Sequence, residues 1–146
     1  MRLLVLDQSR ILPWIVEHGL AAEPDIDVEA VACLREAEEI LRCRPPGAAV
    51  VSVPPAQLDW RKFQHLCALC TPPVPVLYEL CAHADPCEIG LCRCEGGCEP
   101  IEGFAIFIAK PAPSFALRDA LVRLVAEARR LRGAVRQNAT TPCVEH

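Results

Sequence analysis

The densest chemistry in this chain of 146 residues is the stretch CEIGLCRCEGGC, which holds Cys87, Cys92, Cys94 and Cys98. With Cys81 included, the spacing is C-x5-C-x4-C-x-C-x3-C. Thiolates are soft ligands, and four of them suit tetrahedral Zn²⁺ or an iron–sulfur cluster. Gly90, Gly96 and Gly97 lie among them. Glycine permits the positive φ angles with which a loop folds around one centre, its backbone N–H groups turned toward sulfur. The spacing is neither a pair of C-x2-C zinc knuckles nor the common ferredoxin run, although a C-x4-C opening is shared with one. The reading is a thiol-ligated centre on Cys87, Cys92, Cys94 and Cys98, with Cys81 and His83 as further candidate ligands. An iron–sulfur cluster, zinc, disulfides and no centre at all stay open. The segment also carries Asp85, Glu88, Glu95, Glu99 and Glu102 against Arg93 alone. A bound cation would offset the repulsion that those carboxylates add to thiolates.

Cys67 and Cys70 form a C-x2-C inside a helical pattern, on its apolar side. A reactive dithiol sits at a helix N-terminus, so core packing is the expectation here. Cys33 and Cys43 flank another helical stretch and read as structural, and Cys143 lies in the C-terminal tail.

The elements that must position these residues are short and alternate. RLLVL at 2–6 reads as a buried strand, and Ser9 as the cap of a helix in RILPWIVEHGL, with Pro13 tolerable near its start. IDVEAVA at 26–32 is β-branched and alternating. In LREAEEILR, Leu34, Ala37 and Leu41 share a helical face, which Pro45, Pro46 and Gly47 terminate. AAVVSV at 48–53 has the continuous apolar run of a central parallel strand. Phe63, Leu66, Cys67 and Cys70 make the next helical stripe, and VPVLYEL at 74–80 and FAIFIA at 104–109 are two more strands. Ser114 caps a long last helix whose Leu117, Leu121, Leu124, Ala128 and Leu131 step in a heptad-like seam. The tail from about Gly133 to residue 146 reads as loose. Strands alternating with helices predict an open parallel sheet covered on both faces, an α/β fold with its function at the C-terminal strand ends.

Three marks now line up. Strand one ends LLVLDQ, with Asp7; strand five ends FIAKP, with Lys110 and Pro111; between them SVPPAQLDW sets Ser52, a proline loop and Leu58-Asp59. In this order and spacing the chain resembles the receiver domain of two-component response regulators over roughly residues 1–132, interrupted at 81–102. The resemblance implies a flavodoxin-like sheet of five parallel strands in order 2-1-3-4-5, and a cis Lys110–Pro111 bond. It also places Ser52 where the family has its phosphoryl-accepting aspartate. One acid of the Mg²⁺ cluster is missing, since Asp7 is followed by Gln8, and the hydroxyl residue after strand four is replaced by Leu80 or Cys81. A serine hydroxyl is not ionised near neutral pH, and no base is apparent beside it. The departures imply a degenerate, pseudo-receiver site of Asp7, Ser52 and Lys110, with Lys110 as an ion-pair partner for Asp7. The cysteine segment stands where a receiver has its fourth helix, on the face that changes shape and meets partners.

Ten cysteines and a charge of -4 bound the function. The acidic balance gives no whole-chain case for nucleic acid. No apolar run reaches membrane-spanning length, and Asp7 interrupts the N-terminal run too early for a signal-peptide core. The expectation is therefore a cytoplasmic protein, in a compartment where lasting disulfides are unusual. No complete catalytic constellation is present, so the chain reads as a signalling protein rather than an enzyme. Its cysteine centre would sense redox state, oxygen or metal, and it would relay that state through protein contacts. A homodimer through the last helix accompanies this reading. A zinc-stapled structural adaptor and a thiol oxidoreductase are the alternatives.

Overall fold

The computed structural model describes residues 1–53, 60–80 and 102–139. The elements are β1 (Arg2–Leu6), α1 (Ile11–Gly19), β2 (Asp27–Val31), α2 (Leu34–Cys43), β3 (Ala48–Ser52), α3 (Arg61–Leu69), β4 (Val76–Leu80), β5 (Ala105–Ala109) and α4 (Ser114–Ala139). The strands form one parallel sheet in the order β2-β1-β3-β4-β5. This is the flavodoxin-like order that the resemblance to receivers implies.

Strand alternation divides the core in two. Leu4, Leu6, Val51, Val76 and Tyr78 face α2 and α3, where Ala37, Leu41, Phe63 and Cys67 complete one cluster. Leu3, Val5, Val50, Leu77 and Ile106 face α1 and α4, where Leu12, Val16, Leu121 and Leu124 complete the other. The middle of β1 and β3 is apolar at every position because both of their faces are covered. Trp60 and Tyr78 anchor the first cluster, with ring centroids 6.2 Å apart in an edge-on arrangement, and Tyr78 stacks on Phe107 at 5.4 Å.

Helix termini differ from expectation in two places. Ser9 does not cap α1. Arg10 takes the N-cap position with φ of 60°, and the carboxylate of Asp7 reaches past it to accept the N–H of Leu12. A carboxylate serves better than a hydroxyl at this positive helix end, and Ser9 instead donates its hydroxyl to Asp7 at 2.8 Å. Pro13 lies in the first turn, where its missing N–H leaves no intrahelical bond unmade.

The last helix does not stop near Gly133. It runs on to Ala139, leaving residues 140–146 outside the described part of the chain. One glycine costs a helix interior about 1 kcal/mol, which the flanking Arg132, Ala134, Arg136 and Gln137 outweigh as good helix formers. The leucine seam is also resolved. Leu117, Leu121, Leu124 and Ala128 are buried against the sheet, so these positions are taken by the protein's own core.

Leu121→Ala should therefore lower stability by roughly 2–5 kcal/mol in urea titration, as for a fully buried leucine. At Gly133 an added Cβ meets nothing within 4 Å. Gly133→Ala should raise helicity and stability, by up to about 1 kcal/mol.

Candidate functional site

The functional end of the sheet follows from register. Asp7 lies one residue beyond the pair Leu6↔Val51, opposite Ser52, and Ser52 pairs with Glu79. Alternation gives all three the parity of Leu3, Val5, Val50 and Leu77, so they share the α1/α4 face of the sheet. Lys110 has the parity of Ile106 and Ile108 on β5 and extends the same row. Asp7 and Ser52 stand on β1 and β3, where the strand order reverses and α/β sheets bind their ligands.

The sequence-predicted site of Asp7, Ser52 and Lys110 is thus gathered at one strand end, but its wiring differs. The Lys110 ammonium donates to the Ser52 hydroxyl and lies 3.7 Å from the Glu79 carboxylate. It does not pair directly with Asp7, which feels its charge only at longer range. Lys110 turns to Glu79, while the Asp7 oxygens face the start of α1. One accepts the Ser9 N–H at 3.1 Å, and the other accepts the Ser9 hydroxyl and the Leu12 N–H at 2.9 Å. Sequence reasoning missed Glu79. Its signal was available: a lone carboxylate in the apolar strand VLYEL, on the parity of Ser52.

Burial alone would raise the Asp7 carboxyl. The N–H of Leu12, the hydroxyl and N–H of Ser9 and the charge of Lys110 together hold it below the ordinary value. Glu79 goes the other way. Burial pushes its carboxyl up, and Lys110 offsets only part of that while Asp7 adds to it. The two carboxylates of one row therefore have opposite tendencies, set by their different supply of donors.

Mg²⁺, which the resemblance implies, asks for several hard oxygen ligands in octahedral order. The described residues do not fit it. Both Asp7 oxygens are engaged by donors at the start of α1, the Glu79 carboxylate faces an ammonium, and Gln8 supplies no charge and is exposed. Leu80 is buried in the α2/α3 cluster and brings no hydroxyl to this row. Lys110–Pro111 is cis, as the resemblance implies, and Thr71–Pro72 is cis as well.

The candidate ligands Cys81, His83, Cys87, Cys92, Cys94 and Cys98 lie outside the described residues, as do Leu58, Asp59 and Cys143. Where the cysteine segment re-enters the fold, the contacts are defined. Buried Gln64 on α3 donates to the Glu102 carbonyl at 2.6 Å and accepts the Tyr78 hydroxyl at 2.7 Å. His65 meets the Glu102 carboxylate at 2.8 Å. The segment's C-terminal end is thus fastened through α3 to the middle of the core.

Cys67 is fully buried, and burial followed by the neighbouring Cys70 drives its thiol far above the ordinary value. Cys70 is half-buried and also raised by burial, with its Sγ donating to the Leu66 carbonyl at 3.2 Å. The thiolate is the attacking species, so this pair has the chemistry of core packing. Cys33 and Cys43 are exposed.

No family model matches the sequence, and no curated protein matches it. Solved structures do. A response regulator receiver protein from Sinorhizobium medicae WSM419 superposes with a TM-score of 0.64 at 20% identity, covering 88% of this chain and 96% of that one. A two component transcriptional regulator AraC from Clostridium phytofermentans ISDg gives 0.67 at 13% identity over 90% and 98% of the two chains. The N-terminal domain of a response regulator/sensory box/GGDEF 3-domain protein from Carboxydothermus hydrogenoformans gives 0.61 at 16% over 92% and 98%. At such identities the likeness is one of fold: the chain has the receiver fold.

The two carboxyls make opposite pH predictions. A lowered carboxyl stabilises the fold above its unfolded pKa, near 4, and loses that contribution as pH falls through the folded value. Asp7→Asn should therefore cost stability at neutral pH, and the difference should close under acid. A raised carboxyl contributes fully below the unfolded value of about 4.3 and loses this as pH rises through the folded one. Glu79→Gln should raise the urea midpoint at neutral pH and match the wild type below about pH 4.

Proposed function

We propose that the protein is a signalling module of receiver fold that takes no phosphoryl group on aspartate and acts through protein contacts. The observation that carries this reading is the row Asp7, Ser52, Glu79 and Lys110. At the strand end where an acceptor carboxylate would stand there is a hydroxyl, already hydrogen-bonded to the ammonium of Lys110. A receiver acceptor needs an ionised nucleophile and a metal to neutralise the phosphoryl oxygens. Here the fixed cation is Lys110, and its charge is balanced by Glu79 within the fold. The site is built to be stable without metal or phosphate.

In this reading the signal enters through residues 81–102. Their cysteines, by type and spacing, suit an iron–sulfur cluster or zinc. The anchoring of Glu102 by Gln64 and His65 supports it, because a change in the segment would pull on a buried residue bonded to Tyr78. No helix among the described residues is long and apolar enough to cross a membrane. The partners of such a module are proteins, a second copy of the chain among them. The raised thiols of Cys67 and Cys70 weigh against an oxidoreductase that uses that pair.

Incubation with a small-molecule phosphodonor and Mg²⁺ should leave the intact mass unchanged. A phosphoryl adduct would overturn the reading, whether it sits on Ser52 and is lost in Ser52→Ala or sits on an aspartate and survives that change. Protein purified without oxygen should carry iron with visible charge-transfer bands, or zinc without colour. Replacing Cys87, Cys92, Cys94 and Cys98 with serine should abolish the bound metal. A metal-free wild type by elemental analysis would rule out the sensing role assigned to the segment.

A further inference from the structure

Among the described residues, six large apolar side chains are exposed, and five of them lie on α1 and α4. Ile11, Trp14 and Ile15 recur at helical spacing on the outer face of α1, and Phe115 and Val122 lie on α4 one heptad apart. Trp14 is 61% exposed and Phe115 70%. Between them runs a groove of about 400 Å³ lined by Trp14, Ile15, Phe115, Leu121 and Arg118. Helix α1 is apolar almost all round, since Leu12, Pro13 and Val16 are buried against the sheet while Ile11, Trp14 and Ile15 face out. A surface helix needs only one apolar stripe. A second stripe on the same helix calls for a second burial.

We propose that this α1/α4 face is the surface through which two copies of the chain pair about a two-fold axis. Area supports a second copy. At about 200 Å² for a large side chain, the exposed fractions of the five leave roughly 550 Å² of apolar surface, so two copies would bury about 1,100 Å² before any rim is counted. With the rim this enters the range of about 1,200–2,000 Å² typical of stable interfaces. Charge supports it as well. Arg118 lines the groove, and Asp119 and Arg123 follow it on α4; all three are exposed and make no ion pair among the described residues. Other α4 arginines are paired within the chain, Arg129 with Glu23 and Arg130 with Glu127. A rim holding both signs complements its own copy, whereas a strongly acidic or basic partner would leave part of it mismatched. The two-fold pair specifies the self-contact in the reading above, by a face opposite the leucine seam.

Sedimentation velocity of the full chain should show a monomer–dimer equilibrium in the micromolar range. Trp14→Glu and Phe115→Glu should each weaken pairing about 30-fold or more, the effect of losing a central anchor. Leu69→Glu, at the exposed apolar residue on α3, should leave it unchanged, and circular dichroism should be the same for all three. Iodide should quench Trp14 in dilute protein and lose access as the dimer forms, while buried Trp60 stays protected throughout. A wild type that stays monomeric at high concentration would overturn the proposal. So would a dimer that survives both glutamate variants, or one in which Trp14 stays quenchable. The phosphodonor result is independent of all these, so failure of the dimer and failure of the phosphate-free reading are told apart.

Discussion

The parallel sheet is covered on both faces, and that constraint shapes the rest of the molecule. Leu3, Leu4, Val5, Ala49, Val50 and Val51 have essentially no exposed surface, so the middle of β1 and β3 can hold no charge. Polar chemistry is pushed to the strand ends. There the alternation that buries Leu3, Val5 and Val50 puts Asp7, Ser52 and Glu79 in one row without any further device. The row is a consequence of how the core is packed, and its charges are settled at a partly buried strand end.

They are settled by hydrogen bonds and one cation. Asp7 spends its oxygens on the first turn of α1 and on Ser9, which ties helix entry to the end of β1. Lys110 is left to serve Ser52 and Glu79. Each group in the row has a partner inside the fold, so ligand binding there would have to displace contacts that already exist. The same wiring that makes the site self-sufficient makes it poor at recruiting a metal.

The two faces of the sheet have different tasks. On the α2/α3 side, aromatic packing of Trp60, Tyr78 and Phe107 runs into the Gln64 bridge and thence to Glu102. A polar network inside a core has value only when each member is satisfied, and Gln64 uses both ends of its amide. On the α1/α4 side, burial is apolar apart from the row at the strand ends, and an apolar face continues outward on the far side of α1. The first arrangement couples a segment to the core; the second presents a surface.

The amino-acid sequence by itself determined a parallel sheet and its covering helices, because strands buried on both faces leave continuous apolar runs; the strand order was legible only through the resemblance to receivers. Asp7, Ser52 and Lys110 stand at the ends of apolar runs, and the resemblance to receivers is what marked them as one site. Whether the α4 leucine seam turns inward or outward was open, since a heptad pattern serves either burial. Only the tertiary structure decided that it packs inward, that Asp7 rather than Ser9 caps α1, and that Lys110 pairs with Glu79. These last depend on lateral register and on which donors reach a buried oxygen first, and such contacts join residues as distant as Ser52 and Lys110 that no local pattern links.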